Sequence, residues 1–201
     1  MVQVYFARHA QSNSQQHDDR TRELTQQGLR DRGLVTRYLA DKGIGRVLSS
    51  PYRRAIDTIA PFAEGAGLPI EIVDEIRERV LPGGWIEDFD AYTRRQWQDF
   101  SYTLPGGESL AEVQRRNVRA LLQALVDHRG GNIAIGSHGT ALCTVIRWCD
   151  PSFGYEQFAA IQRLMPWVVR FSFVGARCVE WQAYDLFKMI PLGQGREERK
   201  W

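Results

Sequence analysis

The chain opens on a short apolar run, Val2 to Ala7, with the length and composition of a buried strand, and passes through Arg8-His9 into a polar stretch that reaches Glu23. A helical pattern follows. Thr25 is placed as its N-cap, Leu29, Val35, Tyr38 and Leu39 mark its apolar face, and Gly43 ends it. Arg46 to Ser49 reads as a second strand. Ser50-Pro51 supplies the N-cap and first-turn residues of another helix, continued by Ala55, Ile56, Ile59 and Phe62, and Pro61 is expected to kink or shorten it. Ile70 to Val73 is a third strand. From Asp74 to Ser109 the periodicity loosens around Pro82-Gly83-Gly84 and Pro105-Gly106-Gly107, and large aromatic and charged side chains crowd together. This stretch reads as an inserted lid or wall, at about 79–107, with room for one short helix.

Regular spacing returns at Leu110, Val113, Val118, Leu121, Leu122, Leu125 and Val126, a long amphipathic helix that ends near Gly130-Gly131. Asn132 to Gly136 is a buried strand, and Ser137-His138-Gly139 turns into a helix over Thr140 to Trp148. Val168 to Val174 and Arg177 to Tyr184 alternate about Gly175-Ala176, the pattern of an antiparallel hairpin at a sheet edge, and Gly195 to Lys200 reads as a solvated or frayed tail. Strands alternating with helices predict an α/β fold: a three-layer sandwich with a mainly parallel central sheet, helices on both faces and an antiparallel strand at an edge. In such sheets ligands bind where loops leave the carboxyl ends of the strands, which is where Arg8-His9, Ser49-Ser50 and Ser137-His138 fall.

Composition narrows the function. The 201 residues, 43% of them hydrophobic, suit one domain with a full core, so 1–201 is taken as a single domain. A net charge of +2, from 26 basic against 24 acidic residues, gives no long-range field to capture a nucleic acid or an anionic membrane, so any anion is bound locally. Cys143, Cys149 and Cys178 are odd in number and lack CxxC spacing, which argues for reduced, structural thiols and against a disulfide framework or zinc site. The N-terminus lacks the basic and apolar regions of a leader, and no run approaches a membrane span, so the expected location is the cytoplasm. A homodimer stays open. Neither GxxxxGK[ST] nor a strand-following GxGxxG occurs.

Moving a phosphoryl group without a metal takes cationic donors for the equatorial oxygens, an in-line nucleophile and an acid for the leaving oxygen. His9 offers a neutral imidazole lone pair, and Arg8 and Arg54 offer guanidinium forks that lysine cannot reproduce. His138 supplies a further donor, and Glu78 an acid that becomes the base for water in the second step. No carboxylate cluster with metal-ligand spacing accompanies them, so no metal or other cofactor is expected.

Arg8-His9-Ala10-Gln11-Ser12 resembles the RHGx[ST] signature of the histidine phosphatase, or phosphoglycerate-mutase-like, superfamily. Leu24-Thr25-Gln26-Gln27-Gly28 resembles its LTxxG, Ser49 to Thr58 its SSPxxRAxxT, and Arg77-Glu78-Arg79 its acid-bearing segment. Pro105-Gly106-Gly107-Glu108-Ser109 resembles PGGES and Gly136-Ser137-His138-Gly139 the SHG element, all in family order between residues 8 and 139. The resemblance implies that His9 is phosphorylated, that Arg8, Arg54 and His138 form the phosphate pocket with Ser12 and Gly139 beside them, and that Glu78 donates the proton. Two positions depart from the pattern: Ala10 stands where Gly is commonest, and Gln15 where a phosphate-contacting Asn is frequent.

Several residues carry two readings. Glu78 lies among Glu75, Arg77 and Arg79 and also fits a solvated ion-pair residue; Glu108 fits a helix cap at least as well as a substrate contact. Arg79, Arg94 and Arg95 fit a specificity wall that holds a second anionic group, or a solvated face, and Trp85, Tyr92 and Trp97 fit a cover for an apolar or ring-shaped part of the substrate, or the lid's own small core. His17 and His128 match no motif. Only 60 positions separate Glu78 from His138, where mutases of this family usually carry a longer insertion, so a compact phosphomonoester hydrolase is favoured over a mutase. A silent binding module is disfavoured because every chemical group is present. The expected partner is a small phosphorylated substrate.

Overall fold

The structure, a computed structural model, describes residues 1–83, 86–128 and 130–196. Seven strands form one sheet in the order β3-β2-β4-β1-β5-β6-β7. β1 (Val2–Arg8), β2 (Ile44–Ser49), β3 (Ile70–Ile72) and β4 (Asn132–Ser137) pair in parallel, and β5 (Trp167–Val174), β6 (Arg177–Asp185) and β7 (Ile190–Arg196) continue the sheet antiparallel from β1.

The two faces of the sheet follow from the two-residue alternation of strand side chains. On β1, Val4 and Phe6 enter one core with Leu48, Ile133 and Ile135, whereas Tyr5 and Ala7 enter another with Val47, Ala134 and Val168. The first core is covered by α4 (Leu110–Val126), α5 (Gly139–Cys149) and α6 (Tyr155–Ile161), and the second by α1 (Gln26–Leu39) and α2 (Arg53–Ala66). The fold is thus the expected α/β sandwich with helices on both faces and a sheet that is parallel at its centre.

Several local expectations are corrected. The hairpin β5-β6 is not the edge, because β7 pairs with β6 through Arg196; Gly195 and Arg196 are therefore strand rather than frayed tail, and 197–200 lie outside the described residues. In α1, Thr25 caps as expected, accepting from Gly28 N at 3.0 Å, but Leu29 is exposed, and the helix stops at Leu39 with Gly43 shaping the turn into β2 at φ 60°. The second helix begins at Arg53 instead of Ser50-Pro51, and it runs through Pro61. Proline there cannot donate to the carbonyl of Asp57, and Arg32 Nη1 from α1 donates to that oxygen at 3.0 Å instead, so the lost helical bond is replaced.

On α4 the core face runs through Leu110, Val113, Asn117, Ala120, Leu121 and Ala124. Val118, Leu122 and Val126 turn outward to a surface groove floored by Trp148, which divides the apolar set read from the sequence into two stripes. The loosely patterned segment holds a 3-10 turn (Asp74–Ile76) and α3 (Phe89–Gln98), whose Trp97 stacks on Phe158 of α6 with centroids 5.1 Å apart. The short helix α6 was not anticipated.

Candidate active site

Strand register brings three polar turns together. Arg8 pairs with Ser137, Ser49 with Gly136, and beyond the strands His9 N donates to Ser137 O at 3.0 Å and Ser50 N to Gly136 O at 2.9 Å. The carboxyl ends of β1, β4 and β2 therefore set His9, His138 and Ser50 side by side, with the His9 and His138 ring centroids 5.3 Å apart.

The His9 ring is fixed in one tautomer. Nδ1 lies 2.7 Å from Ala10 O, and since a carbonyl only accepts, Nδ1 carries the proton and Nε2 the lone pair. Arg54 Nε reaches that lone pair at 3.2 Å. The backbone after His9 is tied down by Thr58, whose Oγ1 accepts from Ala10 N at 3.0 Å and donates to Arg54 O at 2.7 Å. Burial first, then the guanidinium groups of Arg54 and Arg8, push the imidazole well below its usual range and hold it neutral.

His138 is fully buried. Its Nε2 lies 2.7 Å from Ser50 Oγ, which accepts from Tyr52 N at 3.2 Å. Donation by the Ser50 hydroxyl to Nε2 would put the imidazole proton on Nδ1, a buried atom with no hydrogen-bond partner among the described residues. Burial and then Arg54 and His9 hold this imidazole well below its usual range too. The Tyr52 ring separates two site residues, 5.1 Å from the His138 ring and 5.0 Å from the Arg54 guanidinium carbon.

Arg8 and Arg54 are both partly engaged. Arg8 Nη1 donates to the carbonyls of Ile161, Gln162 and Leu164 at 3.3, 2.7 and 2.9 Å, binding β1 to the end of α6 and leaving Nε buried and unpartnered. Arg54 Nη1 donates to Asp19 O at 2.6 Å, and Nη2 lies 3.3 Å from Asp19 Oδ1.

Glu78 sits at the start of α5. Its Oε1 accepts from Arg79 N at 2.8 Å and Ala141 N at 3.0 Å, and Oε2 from Thr140 N at 3.0 Å, so the carboxylate takes the helix N–H groups that the His138 side chain leaves uncapped. Its backbone is gripped from α4: Arg116 donates to the carbonyls of Glu75, Arg77 and Glu78 at 2.7, 2.6 and 2.9 Å. Glu108 closes that clamp, with ion pairs to Arg116 at 2.8 Å and Arg77 at 3.0 Å and a bond from Val80 N at 2.9 Å. Burial pushes its carboxyl up, but the hydrogen bonds from Arg116 and Val80 outweigh it and hold Glu108 below the usual range. The capping expected of Glu108 is done by Ser109 in a capping box with Glu112.

The other expected site residues are placed unevenly. Gly139 opens α5 against Arg8. Ser12 forms an isolated bridge with Leu24, and Gln15 is exposed, its backbone N–H donating to Asn13 Oδ1 at 3.1 Å. Arg79 is buried between the rings of Phe89 and Tyr92 and bonded to Gln96, with no carboxylate in ion-pair reach among the described residues. Arg94 stacks on Tyr155 at 4.2 Å and pairs with Glu156 of α6, while Arg95 stacks on Tyr102 at 4.0 Å. Trp85 lies outside the described residues. Tyr52, Thr58, Asp19, Arg22 and Arg116 were given no role in the sequence reading, and Ser50 was read only as a helix cap at a strand end. Ser50, Tyr52 and Thr58 lie inside the SSPxxRAxxT stretch that carries Arg54, which was the available signal.

The histidine phosphatase superfamily (branch 1) profile matches residues 4–163. The chain belongs to this superfamily. As a histidine phosphatase superfamily member it is 31% identical over 158 residues to a probable phosphoglycerate mutase, GpmB, of Yersinia pestis, covering 71% of this chain and 72% of that protein. It is 34% identical over 133 residues to the bifunctional protein Rv2228c of Mycobacterium tuberculosis, where the match covers 62% of this chain but spans only 36% of the relative's length. A phosphoserine phosphatase from Entamoeba histolytica, solved with 3-phosphoglyceric acid, superposes with a TM-score of 0.71 at 20% identity, over 89% of this chain and 94% of that one. At that identity the superposition establishes the shared fold.

Among the described residues, no group of three or more His, Cys, Asp or Glu side chains is arranged to hold a metal ion, and no helix is long and apolar enough to cross a membrane. Cys143, Cys149 and Cys178 are free thiols, and burial pushes the Cys143 thiol up, away from the reactive thiolate.

Proposed function

We propose that this protein is a phosphomonoesterase that hydrolyses small phosphorylated molecules through a phosphohistidine on His9, without a metal. The observation that carries the reading is the His9 ring itself: Nδ1–H is fixed on Ala10 O, and Nε2 presents its lone pair beside Arg54. In the first step Nε2 attacks phosphorus, the P–O bond to the leaving group breaks, and Glu78 delivers a proton to the leaving oxygen. In the second, water attacks phosphorus, Glu78 takes its proton, and the P–N bond breaks to restore neutral His9. Arg8 Nε and His138 Nδ1, buried donors without partners among the described residues, suit the phosphoryl oxygens, as does Arg54. Arg8 and Arg54 supply the charge neutralisation a metal would otherwise give, and neutral His138 adds a hydrogen bond.

The buried Arg79 and the α3 wall discriminate among substrates, with Arg94, Arg95 and Glu108 acting through the packing of that wall. The working location is the cytoplasm, where Cys143, Cys149 and Cys178 stay reduced.

Rapid quenching with labelled substrate is expected to give an acid-labile, base-stable phosphoramidate on His9 that His9→Ala abolishes, and turnover is expected to survive chelation. Label on Ser, Asp or Cys, or a strict magnesium requirement, would overturn the mechanism. The 31% identity to a probable phosphoglycerate mutase keeps mutase activity as the second reading. It predicts phosphoglycerate isomerisation that depends on bisphosphoglycerate, whereas a hydrolase releases inorganic phosphate without it.

A further inference from the structure

Outside the groups assigned above, one anion already sits on the phosphate-binding arginine. Asp19 Oδ1 lies 3.3 Å from Arg54 Nη2 and 3.2 Å from Arg22 Nη2, so a single carboxylate oxygen is shared by two guanidinium groups. Arg54 is 3% exposed and bonded through Nε to the His9 lone pair, which places that shared oxygen next to the nucleophile. Arg22 is held in place independently of Asp19: its Nε donates to Gln16 O at 2.8 Å, and its backbone N–H to Asp18 O at 3.0 Å. Its charge is felt at the buried His9 ring, after those of Arg54 and Arg8.

We infer that Arg22 is a third arginine of the phosphate site and that Asp19 is a built-in competitor, holding between Arg54 and Arg22 the place that a phosphoryl oxygen of the substrate takes. The inference rests on the phosphatase reading and deepens it. Two cations converging on one oxygen are the arrangement that binds phosphate, and a phosphate group near neutral pH carries about −1.5 to −2 charges against the single charge of a carboxylate, so it wins the exchange. Asp19 is able to yield because its side chain is 38% exposed, whereas Arg22 is 24% and Arg54 3% exposed. Counting Arg8, Arg22 and Arg54 against Asp19, these four side chains carry two excess positive charges, and displacing Asp19 raises that excess to three for an incoming dianion. After P–N hydrolysis the returning carboxylate competes with product phosphate, which weakens product inhibition without touching the chemical step.

The probe is inorganic phosphate, read both as a competitive inhibitor of nitrophenyl phosphate hydrolysis and by calorimetric titration. Asp19→Asn is expected to tighten phosphate about tenfold, since the amide keeps the shape and loses the charge. Arg22→Ala is expected to weaken it about tenfold, and in the Arg22→Ala background Asp19→Asn is expected to gain less than threefold, because half of the freed pair is gone. Asp19→Ser, with circular dichroism of every variant, guards against a misfolded amide variant. Phosphate affinity that is unchanged or weakened in folded Asp19→Asn and Asp19→Ser would overturn the inference and make Asp19 a residue that positions Arg54. An effect confined to substrates with a second anionic group, leaving inorganic phosphate unmoved, would overturn it too. Wild-type protein that neither hydrolyses nitrophenyl phosphate nor binds phosphate would remove the phosphatase reading and this inference together, a result distinct from either.

Discussion

The guanidinium of Arg8 rests against the backbone of Gly139: a Cβ on residue 139 would lie 2.9 Å from Arg8 Cζ and 3.0 Å from Nε. The arginine cannot retreat, because its Nη1 is fixed on three carbonyls at the end of α6 and just after it. Gly139→Ala is therefore expected to cost about 1–3 kcal/mol of stability, as overpacking does, and to lower kcat/KM for nitrophenyl phosphate more than tenfold by tilting Arg8. Thermal unfolding and kinetics check both. An alanine variant with wild-type kinetics would show that the position of Arg8 is not set by this contact.

Glu78→Gln tests the acid. The amide cannot donate to a leaving oxygen as a carboxylic acid does, so esters with poor leaving groups are expected to slow at least a hundredfold while nitrophenyl phosphate slows far less. A structural component accompanies it, because the amide NH2 would face one of the N–H groups of Thr140, Ala141 or Arg79 that the carboxylate now accepts. That component is common to all substrates. Equal losses across leaving groups would move the acid elsewhere.

The contrast between legible and hidden features has a physical cause. Strand ends and the residues on them were legible, since Arg8-His9 and Ser137-His138 each follow an apolar run with the length and composition of a buried strand, and Ser49-Ser50 follows the shorter Val47-Leu48. β7 was hidden because Ile190 to Arg196 carries Pro191, Gly193 and Gly195, a poor strand pattern that pairing with β6 overrides. The face of α4 was misread because two apolar stripes, one buried and one lining the Trp148 groove, overlap in sequence. Within the site, chemistry-bearing residues showed themselves by type and motif, whereas Arg116 reaches the Glu75 to Glu78 backbone and Asp19 reaches Arg54 across separate segments, distances that spacing does not encode. Arg94 and Arg95 look like anion binders by composition, yet the rings of Tyr155 and Tyr102 lie close enough in space to take them.

The buried imidazoles make stability depend on pH. His9 and His138 are both held well below their usual range, so the unfolded chain binds protons that the folded one does not as pH falls below about 6.5. Stability contributed by these rings is thus present above that pH and lost below it. Between pH 7.5 and 5.5 each ring that stays neutral is expected to cost about 1.4 kcal/mol, and His9→Asn should remove about half of the combined loss. Urea unfolding at the two pH values measures it. A His9→Asn variant with the full wild-type loss would show that His9 titrates normally in the folded protein.

The last prediction concerns Ser50, which touches no phosphate in the proposed mechanism but fixes the ring that does. Its hydroxyl sits 2.7 Å from His138 Nε2, and donating there would keep the proton on Nδ1. In Ser50→Ala the ring loses the partner that selects its tautomer, and Tyr52 N loses its acceptor, so about 1–3 kcal/mol of stability is expected to go with them. A merely structural role would end there. A positioning role adds a shift of the His138 nitrogen resonances from one neutral tautomer toward a mixture, together with a fall in kcat of about tenfold or more and little change in the leaving-group dependence set by Glu78. Nitrogen-15 spectra of the imidazoles in wild type and Ser50→Ala separate the two: an unchanged His138 tautomer with undiminished kcat would leave Ser50 as a packing residue alone.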